Sequence, residues 1–172
     1  MNRRDEIVEV ARRLLEAGGS GALTMRAIAE EMGIRAPSLY KHIADKRELE
    51  VALIADGFVE QAEMFESAID GADDPVGAIG ASYRAWAHDH PHLYCLMTDG
   101  PLPRDELPEG VEDAAAAPLV MAVGGDIDIA RAVWAFAHGM VVLELADRFP
   151  AAADLDAAWA TGLAGIVGRG RG

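Results

Sequence analysis

Within Arg35–His42 the chain groups Arg35, Ser38, Tyr40, Lys41 and His42, with Thr24, Arg26 and Lys46 close by on either side. Hydroxyls, an imidazole and several cations at this spacing offer donors for phosphate oxygens and base edges. The surrounding stretch, LTMRAIAEEMGIRAPSLYKHIADKREL from Leu23 to Leu49, reads as a helix, a tight turn at Gly33, a short second helix and the start of a long third one. A unit of this shape presents small polar and basic side chains on a short exposed helix, as entry into the DNA major groove requires. The alternative is three packed helices with no nucleic-acid partner, a pattern that recurs by chance in all-α proteins. Both readings are open at this level.

The elements that must position these groups follow from apolar spacing. Ile7, Val8, Ala11, Leu14 and Leu15 give a first helix a buried stripe from about Asn2 or Arg3 to about Ala17, where Gly18, Gly19 and Gly21 end it. Thr24 is placed to cap a second helix with Ala27, Ile28, Ala29 and Met32 on its core face, and Gly33 suits its C-terminal turn. Pro37 falls in the first turn of the short helix, whose Leu39 and Ile43 face inward while Ser38, Lys41 and His42 face out. Asp45 can cap a fourth helix running to about Ile69. Beyond the break at residues 71–75, helices are expected at about 76–88, from Pro91, at 112–123, 126–147 and 154–167. Residues 99–109 form a loop and 168–172 a frayed tail. No β alternation occurs, so the fold class is all-α: an N-terminal helix–turn–helix head over residues 1–47 and a helical ligand-binding and dimerisation domain over 48–172.

A net charge of -14 argues against a polyanionic partner until its distribution is examined. Residues 1–47 hold nine Arg or Lys against seven acids, and residues 48–172 hold six against twenty-two. A weakly basic head on a strongly acidic body favours DNA docking in one orientation. The lone Cys95 excludes an intrachain disulfide. No uninterrupted apolar run of membrane-spanning length and no export leader is read, so a soluble cytoplasmic protein without a membrane partner is expected.

The head resembles that of the TetR family of transcriptional regulators. The resemblance rests on Thr24, Arg26, Ala29, Gly33-Ile34, Ser38 through Ile43 and Lys46 through Leu49, and covers roughly residues 3–55. It implies that Thr24, Arg26, Pro37, Tyr40, His42 and Lys46 contact phosphates or place the recognition helix. Arg35, Ala36, Ser38 and Lys41 would then lie nearest the bases. In the second half, the Tyr83–Met97 stretch and the Trp134…His138-Gly139 segment resemble a Trp…His-Gly class of TetR-like C-terminal domain. The implied roles there are effector binding and dimerisation.

Candidate effector contacts are Tyr83, Trp86, Tyr94, Met97, Trp134 and His138, although ordinary core packing explains most such side chains. Candidate dimer contacts lie on the last two long helices: Ala135, Val142, Leu155, Trp159, Gly162, Leu163 and Ile166, with small residues such as Thr161 and Gly165 permitting close approach. Packing within one subunit is the alternative for the same face. His88, His90, His92, Cys95 and His138 lack the paired spacing of a metal site, so neither metal nor cofactor is expected. Glu144, Asp147 and His138 could suggest acid–base catalysis, but no nucleophile–base motif accompanies them and the carboxylates are expected to be solvated. The resulting expectation is a homodimeric repressor, not an enzyme, released from a palindromic double-stranded operator by a small, largely apolar effector. A ligand-binding or protein–protein module without a DNA role is the alternative.

Overall fold

Helices begin where the sequence supplies caps. The computed structural model describes residues 2–169, and the expected all-α architecture is observed over them. Asn2 opens α1 (Arg3–Ala22) with a capping box: its Oδ1 accepts from the Arg4 and Asp5 amides at 2.8 and 3.1 Å, while Asp5 accepts from the Asn2 amide. Thr24 Oγ1 accepts from Ala27 N at 3.1 Å to start α2 (Met25–Glu31). Then come α3 (Ala36–Leu39) and α4 (Lys46–Ile69), the latter capped by Asp45 Oδ1 at 2.9 Å from Glu48 N. The chain continues through α5 (Pro75–Asp89), α6 (Pro91–Thr98), a 3-10 turn at Arg104–Glu106, α7 (Val111–Ala122), α8 (Ile127–Leu145) and α9 (Leu155–Arg169). The expected tail begins inside α9, and its residues 170–172 lie outside the described residues.

The chain divides into two compact units, residues 1–58 with 90–111 and residues 59–89 with 112–172. The first unit holds the helix–turn–helix, and its core is built from the expected stripe: Ile7, Ala11, Leu15, Leu23, Ile28, Leu39, Ile43, Leu49 and Leu53 are all buried. It also contains α6, which packs on α1 and buries Leu93 and Tyr94. That association was not legible from apolar spacing. Nor does α1 stop where the glycines predicted; it kinks at Gly19 (φ 68°, ψ -171°) and resumes for another turn. His92 of α6 lies beside the kink, its ring 3.4 Å from where a Cβ on Gly19 would sit, an ordinary contact distance, so glycine is needed there for its positive φ rather than for space.

In the second unit α5, α8 and α9 pack on one another. Ile79, Tyr83 and Ala87 of α5, Val133, Ala137 and Val141 of α8, and Trp159 and Leu163 of α9 are all buried. Phe136 meets the Trp159 indole edge-on at 5.7 Å, and Gly162 leaves the space that the Phe136 ring fills. Glu144 ties the three helices together and corrects the expectation of a solvated carboxylate, because its side chain is only 4% exposed. It accepts from Trp159 Nε1 at 2.6 Å and Arg84 Nε at 2.8 Å, with His88 Nε2 at 3.1 Å. Arg84 reaches on to Asp156 at 2.6 Å and lies over the Trp159 ring. Burial alone would push the Glu144 carboxyl up, but the bonds from Trp159, Arg84 and His88 outweigh it and hold the group below the ordinary glutamate value.

Glu144→Ala would leave Arg84 and the Trp159 N–H without their acceptor, at a cost of about 2–4 kcal/mol in urea denaturation at neutral pH. Because the folded carboxyl ionises more readily than the unfolded one, this contribution is complete above the ordinary glutamate value. It fades as pH falls through the depressed one, so wild type and variant should converge in acid.

Candidate nucleic-acid interface

The helix–turn–helix is shaped by one backbone turn. Gly33 takes φ 64°, a left-handed conformation that costs a side-chain-bearing residue about 1–2 kcal/mol. In this geometry Gly33 N bonds Glu30 O at 3.0 Å and Ile34 N bonds Ala29 O at 2.9 Å, a paired closure of the α2 C-terminus. The chain then enters α3 through Arg35, with Pro37 in the first turn where no amide donor is needed.

The short helix is shorter than its residue pattern predicts. Only Ala36–Leu39 is regular α-helix, and Tyr40, Lys41 and His42 form a tight turn. His42 N and Ile43 N both bond Leu39 O, at 2.8 and 3.0 Å. Leu39 and Ile43, which are 0% and 1% exposed, pin this turn to the core. Their burial fixes which side faces out: Arg35, Pro37, Ser38, Tyr40, Lys41 and His42 are exposed, and Ala36 is half-buried. Tyr40 keeps 53% of its surface free, a large exposure for an aromatic side chain. Thr24, Arg26 and Lys46 are exposed as well.

Charge pairing separates this face from the rest of the head. Arg3, Arg4, Arg12 and Arg13 each lie within 4 Å of a glutamate oxygen, from Glu6, Glu48, Glu16 and Glu9 respectively. Lys46 reaches Glu50 and the Ser20 carbonyl, both at 3.3 Å. Arg26, Arg35 and Lys41 make no ion pair among the described residues. Three unneutralised cations beside exposed hydroxyl, phenol and imidazole groups leave a surface able to take phosphates without first giving up internal bonds.

The six expected effector residues divide between the two units. Tyr94 and Met97 belong to the first unit, with Tyr94 buried and Met97 close to Gly57. Tyr83, Trp86, Trp134 and His138 belong to the second. There Tyr83 is buried against Phe65 with ring centres 6.2 Å apart, and Trp86 Nε1 donates to Glu60 at 3.3 Å. Trp134, 52% exposed, stacks on His138 at 5.8 Å. None of the six lines the open cleft of about 410 Å³ in the first unit, formed by Gly18, Gly19, Ser20, Gly21, His92, Cys95, Leu96 and Asp99. Burial, with a smaller contribution from Asp99, pushes the Cys95 thiol up and away from the reactive thiolate.

The histidines serve separate contacts. His88 faces Glu144, His90 lies 3.6 Å from Glu16, and His92 lies against Gly19. Among the described residues no group of three His, Cys, Asp or Glu is placed to hold a metal ion, and no helix is long and apolar enough to cross a membrane.

Of the expected dimer contacts, Ala135 and Val142 are exposed, Leu155, Gly162 and Ile166 are half-buried, and Trp159 and Leu163 are buried. The exposed small residues of α9 are Ala157, Ala160, Thr161, Ala164, Gly165 and Gly168. The signal for that side was the helical spacing of small residues, outweighed in the sequence by the larger apolar ones that fill the subunit's own core.

Residues 7–53 match the profile of bacterial regulatory proteins of the tetR family, and residues 76–166 match that of the tetracyclin repressor-like C-terminal domain. The chain belongs to the TetR family. It is 32% identical over 154 residues to the HTH-type transcriptional regulator Rv0681 of Mycobacterium tuberculosis, a match covering 83% of this chain and 70% of that protein. It is 30% identical over 128 residues to the HTH-type transcriptional regulator Rv1816 of the same organism, covering 72% of this chain but only 53% of that relative. Among solved structures, the protein SCO4313 aligns with a TM-score of 0.77 and 28% identity, covering 96% of this chain and 95% of that one. Membership makes the chain a helix–turn–helix regulator of transcription, in a family of DNA-binding regulators.

Thr24→Ala removes the α2 cap and should cost about 1 kcal/mol of stability. It should weaken DNA binding by more than that loss explains, because the exposed hydroxyl is also an expected phosphate contact. Thermal melting and DNA titration of the same preparation separate the two effects.

Proposed function

We propose that this chain is a homodimeric repressor that holds a palindromic operator through residues 1–47 and is released by a small, largely apolar effector bound in residues 48–172. The observation that carries the DNA role is the set of exposed Arg26, Arg35 and Lys41, without ion pairs among the described residues, around a turn pinned by buried Leu39 and Ile43. Ser38 and Lys41 are assigned to base edges, with Ala36 and Arg35 beside them. Thr24, Arg26, Pro37, Tyr40, His42 and Lys46 are assigned to the phosphate backbone or to holding α3 in place.

For the dimer, the supporting feature is a seam of exposed side chains on the two long helices. Ala135, Val142 and Leu143 lie on α8, and the small residues from Ala157 to Gly168 lie on α9. Small residues let two helices approach closely, and a two-fold pair of short recognition helices spans the two halves of a palindrome. We assign the C-terminal part to the Trp…His-Gly class on the stacked Trp134 and His138. Within the second unit, Tyr83, Trp86, Trp134 and His138 supply the apolar area and polar groups an effector would meet. The ligand would act by favouring a head separation that does not fit the operator.

Selection of duplexes from a random-sequence library by the full-length protein tests the reading. A palindromic site should emerge, and Lys41→Ala should weaken its binding by roughly tenfold with the dimer intact. Failure to retain any duplex in low salt would sink the proposal. Ala160→Arg places a long cation in the proposed seam and should shift sedimentation from dimer to monomer with helix content unchanged.

A further inference from the structure

Arg47 differs from the cations of the recognition face. It occupies the second position of α4, directly after Lys46, and its guanidinium grips Glu106. Nε and Nη2 lie 3.1 and 2.9 Å from Glu106 Oε1, and Nε lies 3.4 Å from Oε2. Glu106 closes the 3-10 turn in the connection between α6 and α7, a segment grouped with the head in the first unit. Residues 99–110 carry Asp99, Asp105, Glu106 and Glu109 against Arg104, and buried Pro103 anchors the turn, its carbonyl accepting from the Glu106 and Leu107 amides. A contact between two half-exposed side chains contributes little to stability, so its meaning lies in its position. The first turn of a helix attracts anions through its free amides and dipole, and a cation placed there beside Lys46 is suited to a phosphate. Here that cation is already held by a carboxylate from 59 positions along the chain.

We infer that the 99–110 segment is an electrostatic latch on the DNA-binding head, with Glu106 occupying the Arg47 guanidinium in the free protein and competing with a DNA phosphate for it. The inference rests on the proposed DNA role of the head. A carboxylate and a phosphate present similar paired oxygens to the guanidinium fork, so one can replace the other without moving the α4 backbone. The competition acts on overall affinity and its salt dependence rather than on base choice, because phosphate contacts carry no sequence information. It also keeps a strongly acidic protein from resting on bulk DNA, since each head gives up one phosphate contact unless the exchange is completed.

Glu106→Gln removes the charge at nearly constant size. The full-length wild type, this variant, Arg47→Ala and the double variant would be titrated against two probes over a salt series. One probe is the tightest duplex recovered from a random-sequence library by the wild type, and the other is sheared genomic DNA. Glu106→Gln should tighten both by roughly three- to tenfold in low salt and steepen the log Kd against log salt slope by about one per head. The double variant should gain nothing over Arg47→Ala. If Glu106→Gln binds both probes as the wild type does, or if its gain survives in the Arg47→Ala background, the latch is wrong while the regulator reading stands. If the wild type binds neither probe in low salt, both fall together.

Discussion

A helix of a single turn has no stability of its own, because nucleation fixes several backbone angles for very few hydrogen bonds. The short helix α3 at Ala36–Leu39, to which base reading is assigned by the proposal, therefore exists only because Leu39 and Ile43 are held at nearly zero exposure in the head core. Everything proposed for this molecule depends on that anchoring. With Leu39 and Ile43 locked inward, Ser38 on the helix and Lys41 and His42 in the turn that follows are left exposed. The Gly33 turn and the Thr24 cap fix the approach of the chain to those anchors. The chemistry of the surface is thus set by the burial of residues that never meet a ligand.

Electrostatics then decides how such a surface can work on a chain whose net charge is -14. At an ionic strength that screens beyond about 10 Å, distant acids count for less than those in direct contact. The pairing of individual cations consequently matters more than the sum. Arg3, Arg4, Arg12 and Arg13 are matched with glutamates, whereas Arg26, Arg35 and Lys41 have no such match among the described residues. Arg47 lies at the margin of the open group, and the hydrogen bond to Glu106 holds its guanidinium more firmly protonated than usual. Its carboxylate partner comes from a connection that the apolar pattern treats as featureless.

The second unit shows the same dependence on context at a buried carboxylate. Along the sequence, Glu144 follows Leu143 near the end of a long helix and looks like any solvated acid. In three dimensions its face of α8 turns toward α5 and α9, where Arg84, His88 and Trp159 converge on it. Trp159 and Leu163 likewise look like a dimer surface by type, yet they fill the subunit's own core and leave the smaller residues of α9 outside. Periodicity identifies a face; it does not say which neighbour covers it.

Helix positions to within a few residues, the caps at Thr24 and Asp45, the left-handed turn at Gly33 and the outward side of the short helix were all legible in the order of residues, whereas the Asn2 capping box was seen only in the structure. These follow from local rules: the 3.6-residue period, side chains that satisfy free amides, and the steric freedom of glycine. Tertiary structure alone decided that Gly19 kinks α1 rather than ending it, that α6 joins the head, that Glu144 is buried and that Glu106 meets Arg47. Each of those is a contact between residues far apart in the chain. No local spacing encodes them, because their energies arise only once separate helices have been brought within a few ångströms of one another.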